Sequence, residues 1–339
     1  MSKIFTIDVH NHILPESIPD FKKQFGHGGF IVMSPEKEGM VMRHDDGTFF
    51  RAVEKNCYDI VHRLEDMDRL GVDVQVLSTV PVLFSYWAKP SECQAMCRHI
   101  NDDIAKKVAD HPKKFLGLGT LPMIDIELSI KELHYIKSSG LSGVQIGSHI
   151  GPVNLDDPIL DPLYKEIEKL GLCVLVHPWD MMGSDTMERY WLPWLVGMPA
   201  EGSRAISSMI FGGIFDRFPK MKVMFAHCGG GFLGTLGRID HAYHSRPDLC
   251  AMNINKAPSE YLESFYLDTI THDEDALHFA IKKMGLNRMA LGTDYPFPLG
   301  EHHPGKMILE MTSLNVAEKE QLLSKTALEW LGESRERFI

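Results

Sequence analysis

The sequence predicts an α/β fold, a (β/α)8 TIM-type barrel of eight parallel strands with long insertions after strands one and five. Three observations predict it: eight short β-branched runs, stretches of helical period between them, and joints of only a few residues from strand to helix. The runs cover residues 4–10, 72–79, 115–121, 143–147, 172–177, 222–227, 265–269 and 289–294. Several are almost continuously apolar, as in VDVQVLSTV, LCVLVHP and KVMFAHC. Strands covered on both faces read this way, and parallel sheets are built of such strands.

The segments between them have a helical period. In YDIVHRLEDMDRLG the residues Ile60, Val61, Leu64, Met67 and Leu70 keep to one face, and Gly71 supplies a stop. Leu160, Leu163, Tyr164, Ile167 and Leu170 do the same before Gly171. Repeated β-then-α units with short joints imply right-handed crossovers, and eight of them close into a barrel. Two connections are too long for this pattern, at about 15–56 and 178–200. Both follow the carboxyl end of a strand, where barrel enzymes keep their active sites, so the chain reads as one domain, 1–339, with two lids. The Trp- and Leu-rich segment TMERYWLPWLVGMPAE suits packing over a ligand or a partner subunit better than free exposure.

Composition narrows the function. The chain has 339 residues, 44% hydrophobic and 24% charged, which is ordinary for a globular protein. Its 35 basic and 46 acidic residues leave a net charge of −11, which opposes binding to nucleic acid or anionic membranes. No apolar run approaches membrane-spanning length, and the start, MSKIFTIDVHNHILP, carries a Lys and an Asp where a signal peptide would be apolar. A cytosolic protein is expected. Six cysteines without a CxxC pair indicate reduced thiols.

The 17 histidines matter by position. His10 and His12, in Asp8-Val9-His10-Asn11-His12, share one face of the first strand, close enough to share a metal ion. Strand five ends in His177-Pro178, strand six in His227-Cys228-Gly229-Gly230-Gly231 and strand eight in Gly292-Thr293-Asp294. A barrel gathers these ends around one mouth, so the four imidazoles and one carboxylate converge. Three His and one Asp suit zinc or a similar divalent ion with an open position for water. The expected ligands are His10, His12, His177 and Asp294, with His227 free as acid/base beside water whose pKa the ion lowers to about 7. Gly229 to Gly231 suit either a close approach to substrate or a turn with positive φ. His149, His272, His302 and His303 are expected as solvated loop histidines, and Cys93 and Cys97 as packing residues.

The motifs IDVHNHILP, LSTVPVLFSYWAKP, LGLGTLP, GVQIGSH, VHPWDMM, YWLPWLVGMPAE, FAHCGGGF and LGTDYPFPLGE run nearly end to end. On them the sequence resembles the amidohydrolase-related metal-dependent decarboxylases. The resemblance implies loss of carbon dioxide from a dicarboxylate, one zinc ion per subunit, no organic cofactor and a homodimer. It assigns substrate carboxylates to Arg51 and to Arg238, the latter reaching in from the partner subunit, and places Trp179, Trp191 and Phe297 around the pocket. Where that family usually has glycine after the strand-six histidine, this chain has Cys228, expected as a small core filler. A lactonase or amidohydrolase, a hydroxybenzoate decarboxylase and a metal-binding scaffold remain as alternatives at this level.

Overall fold

A computed structural model describes residues 3–36 and 39–339. Eight parallel strands form one sheet in sequence order: β1 (Ile7–Ile13), β2 (Val74–Thr79), β3 (Phe115–Thr120), β4 (Gly143–Gly147), β5 (Cys173–His177), β6 (Lys222–Phe225), β7 (Tyr266–Asp268) and β8 (Met289–Ala290). Backbone bonds beyond β8 close the cylinder. Val9 N donates to Leu291 O at 2.9 Å, Asp294 N to His10 O at 2.8 Å and His12 N to Tyr295 O at 2.8 Å.

The apolar strand runs have two faces, as parallel strands buried on both sides must. Ile7, Val9, Val74, Val76, Leu116, Leu118, Cys173, Leu175 and Met224 fill the interior, and Trp330 plugs the bottom, its Nε1 donating to Lys222 O at 3.0 Å. The alternate positions, such as Leu77, Val144, Ile146, Val174 and Phe225, pack against the surrounding helices. These include α1 (Ile60–Leu70), α2 (Pro90–Asp110), α3 (Ile126–Ser138), α4 (Asp161–Leu170), α5 (Met198–Phe211), α6 (Phe232–Ser245) and α7 (Glu274–Met284). Asp59, Asp125 and Asp273 accept from backbone N–H groups at the starts of α1, α3 and α7.

Three details differ from the sequence expectation. Strands β6 and β8 stop early, so His227 and Asp294 lie in turns past the sheet, at φ +54° and +56°. The left-handed backbone there cannot continue a ladder. In α1 the apolar periodicity misjudges the buried face: Val61 is 58% exposed, whereas Arg63 is fully buried beside Met67. The first insertion carries a short helix, Phe21–Phe25, and a three-stranded antiparallel sheet of Ile31–Glu36, Gly39–His44 and Phe49–Val53.

The turn after β6 is wedged against the start of α5. Gly230 has φ +61°, and a Cβ there would lie 2.1 Å from Pro199 O. Gly229, at φ +70°, is likewise closed off by Ile206 and Leu267, so the glycine run serves the turn and its packing. Gly230→Ala is expected to lower stability by about 2 to 4 kcal/mol in urea unfolding, the combined cost of a left-handed alanine and a backbone clash.

Candidate metal centre and active site

A β-bulge aims the first two histidines. Asp8 pairs with Gln75 and Asn11 with Leu77, so Val9 and His10 together stand opposite Val76. Strict alternation from Ile7 and Val9, which face the interior, would send His10 and His12 outward against the helices. The extra residue turns both imidazoles inward and leaves Asp8 and Asn11 outside, an established use of bulges beside active sites.

Four imidazoles meet at the barrel mouth. The ring centroids of His10–His177, His10–His227, His12–His177 and His177–His227 are each 5.0 Å apart, and those of His10–His12 are 5.2 Å apart. Donor atoms of His10, His177, His227 and Asp294 all lie within 4.8 Å of one another. His12 Nε2 stands beside this set rather than in it, 3.3 Å from His10 Nε2 and 3.0 Å from Asp294 Oδ1.

Three of the rings are held from behind. His10 Nδ1 donates to Asp268 Oδ2 at 2.7 Å, His12 Nδ1 to Thr79 O at 2.9 Å and His177 Nδ1 to Pro178 O at 2.7 Å. Because carbonyl and carboxylate oxygens only accept, the protons sit on Nδ1 and the Nε2 lone pairs are bare. Bare nitrogens 3.3 Å apart, with a carboxylate oxygen 3.0 Å from one of them and a buried His177 Nε2 lacking any partner, suit a divalent cation. Electrostatics agrees. Burial holds His12 below the usual imidazole range, and burial with repulsion from His12, His227 and His10 holds His177 well below it, so both stay neutral. Burial acts to raise Asp294, but the close approach of the His12, His227 and His10 imidazoles outweighs it and holds its carboxyl well below the usual range.

His227 is different. Both of its ring nitrogens are buried without a hydrogen bond, and its Nε2 stands 3.7 Å from Asp294 Oδ2, an electrostatic contact rather than a bond. Burial opposes its charged form, yet Asp294 and Asp268 outweigh that and raise its pKa. No anchored nitrogen fixes its tautomer.

Asp268, at the end of β7, is the residue sequence reasoning missed. Besides His10 it accepts from His227 N at 2.8 Å and Cys228 N at 2.7 Å, so one fully buried carboxylate ties two of the histidine segments together. Its signal was available, a carboxylate closing the run SFYLDTI, but no motif marked it.

Above the cluster lies a cavity of about 450 Å³, lined by Arg51, Trp179, Trp191, Phe297, His12, His177 and Asp294 among others. Arg51 comes from the inserted sheet, its guanidinium 4.7 Å over the Phe297 ring, with no carboxylate within 4.0 Å among the described residues. Trp179 Nε1 donates to His149 O at 2.7 Å, which fixes the indole as a wall. Trp191 stands at the rim, 39% exposed. Arg238 lies on the exposed face of α6 and does not line this cavity. His227 instead faces a second cavity of about 460 Å³, which shares Trp194, Met198, Leu299 and Asp294 with the first.

His149 is not a solvated loop histidine. It is buried, donates from Nδ1 to Gly151 O at 2.8 Å and packs beside Trp179, because the tryptophan needs its carbonyl. His272, His302 and His303 are exposed. Cys228 is buried at φ +52°, and burial pushes its thiol up. Cys93 and Cys97 are buried thiols packed in the helix layer.

The sequence matches the amidohydrolase family model over residues 7–332. The chain belongs to the amidohydrolase family, in its branch of metal-dependent decarboxylases. It is 49% identical to the 2-amino-3-carboxymuconate-6-semialdehyde decarboxylase of Dictyostelium discoideum, over 98% of this chain and 93% of that protein. It is 38% identical to the enzyme of the same name from Caenorhabditis elegans, over 97% and 95%. The fold matches that of 5-carboxyvanillate decarboxylase from Sphingomonas paucimobilis with a TM-score of 0.82 at 21% identity, covering 98% and 100% of the two chains.

Asp268→Asn keeps the shape but can turn an N–H toward His10, weakening its grip on the ring. Metal affinity is expected to fall about 10- to 100-fold, measured by competition with a chromophoric chelator.

Proposed function

We propose that the enzyme removes carbon dioxide from 2-amino-3-carboxymuconate 6-semialdehyde, leaving 2-aminomuconate 6-semialdehyde, with one zinc ion per subunit and no organic cofactor. This places it in the kynurenine pathway of tryptophan catabolism, in the cytosol, drawing substrate away from quinolinate and NAD synthesis. The observation that carries the reading is Arg51: in a chain of net charge −11, a guanidinium with no carboxylate within 4.0 Å among the described residues faces the cavity over the imidazole cluster. The two relatives named above support the same substrate.

His10, His12 and His177 would hold the ion through their bare Nε2 atoms and Asp294 through a carboxylate oxygen. When bound, zinc supplies a Lewis acid that brings the pKa of water to about 7. Arg51 pairs one substrate carboxylate, and Arg238 of the partner subunit, exposed on α6, pairs a second in the homodimer. Trp179, Trp191 and Phe297 wall the substrate, and the insertions at about 15–56 and 178–200 serve as lids of a single domain. His227, unanchored at both nitrogens, takes a proton from water and delivers one to C3. Either addition of water across C2=C3 or direct protonation makes the carbon beside the leaving carboxylate tetrahedral. As carbon dioxide departs from C3, the electrons of the broken C–C bond re-form C2=C3, expelling hydroxide from C2 on the first route and neutralising the cationic amino-bearing C2 on the second.

The test is loss of the substrate's ultraviolet absorbance alongside metal analysis. Chelator should abolish turnover and zinc restore it. Turnover of a dihydroxybenzoate but not of the muconate semialdehyde would overturn the reading. His227→Ala should keep metal and lose about 10²- to 10⁴-fold in kcat. Arg51→Ala should lower kcat/KM roughly 10- to 100-fold, mostly through KM, the loss of a charge-assisted bond of about 1.5 to 3 kcal/mol.

A further inference from the structure

Beneath the centre, on the outer face of β1, lies a side chain that neither the apolar pattern nor the proposed chemistry uses. Arg63 of α1 is fully buried, and among the described residues no carboxylate lies within 4.0 Å of it. A buried guanidinium without an ion pair costs several kcal/mol unless hydrogen bonds hold it. Those it makes converge on the ligand segments. Nη1 donates to Asn11 Oδ1 at 3.1 Å and to Gln75 Oε1 at 3.0 Å, and Nη2 donates to the carbonyl of His12. Asn11 sits between His10 and His12, so two of these three contacts fall on the bulged segment. The flat face lies 4.9 Å from the ring of Tyr295, the residue after Asp294.

Gln75 extends the arrangement. With its oxygen committed to Arg63, its amide nitrogen faces Asp8 Oδ2 at 3.4 Å, and the same oxygen accepts from Thr293 Oγ1 at 2.8 Å. Tyr295 is fixed at its far end, its hydroxyl donating to Asp66 Oδ2 at 2.7 Å one turn along α1. Helix α1 thus grips β1 and the turn after β8 together, and Arg63 is where the two grips meet.

We propose that Arg63 is a positioning residue of the metal centre, holding the His10–His12 segment and the Asp294 turn in the relative placement that lets them grip one ion. The inference rests on the metal reading above. Lysine keeps the charge but has one donor head in place of the planar fork, so it cannot serve Asn11, Gln75 and the His12 carbonyl in the same geometry. Arg63→Lys, with far-ultraviolet circular dichroism unchanged, should bind zinc about 10- to 100-fold more weakly in chelator competition. Its cobalt-substituted form should show altered ligand-field absorption, which a merely structural role would not move. Thermal stability that falls while zinc affinity and cobalt spectrum stay those of wild type overturns the proposal. If Arg63→Lys does not fold, Tyr295→Leu, which removes the ring under the guanidinium, is read in the same way and decides it. Wild-type protein that binds neither zinc nor cobalt overturns the metal reading and the inference with it; variants that bind like wild type overturn the inference alone.

Discussion

Bare nitrogen lone pairs turned toward one another, with a carboxylate oxygen among them, form the arrangement on which the rest of the structure depends. Left to themselves such acceptors repel, and only a cation makes their approach favourable. The fold holds them there by fixing the opposite side of each ring. Asp268, the Thr79 carbonyl and the Pro178 carbonyl each take the Nδ1 proton of one histidine, and the tautomer so chosen leaves Nε2 free. His227 has no such partner, and this difference separates its chemistry from that of the other three.

The cost of the centre is spread over the surrounding backbone. A bulge breaks the β1 ladder, and His227, Cys228 and Asp294 adopt left-handed backbone that L-residues avoid. These departures persist because the segments carrying them are tied across the barrel. Asp294 N and Thr293 N both bond to the His10 carbonyl, while Asp268 bonds to the backbone of His227 and Cys228. The turns that carry the cluster are therefore held by one another as much as by their own strands.

Charge is organised against the average of the chain. A net charge of −11 would repel an anionic substrate at long range, so binding relies on local groups at the cavity. Arg51, over the Phe297 ring and half-buried, is a positive group at the cavity, and it is delivered there by the inserted sheet rather than by a barrel strand. His227 meets a separate cavity, with Asp294, Trp194, Met198 and Leu299 in the shared wall, so this imidazole and the Arg51 guanidinium face different spaces around one cluster.

The barrel was legible in the sequence because parallel strands buried on both faces must be continuously apolar, a local property. The cluster was legible because polar residues can only follow such runs where the core stops. Positions 10, 12, 177, 227 and 294 could thus be read from strand ends, although β6 and β8 end earlier than the apolar runs suggest. What only the tertiary structure decided depends on neighbours remote in the chain. The bulge that aims His10 is set by pairing with β2; Asp268 acts through two segments far from it in sequence; Arg63 is buried because β1 offers acceptors on its outer face; and His149 is buried because Trp179 needs its carbonyl. Periodicity reports which face of an element is apolar, but a buried hydrogen-bond partner is defined by geometry between elements, and no local pattern records it.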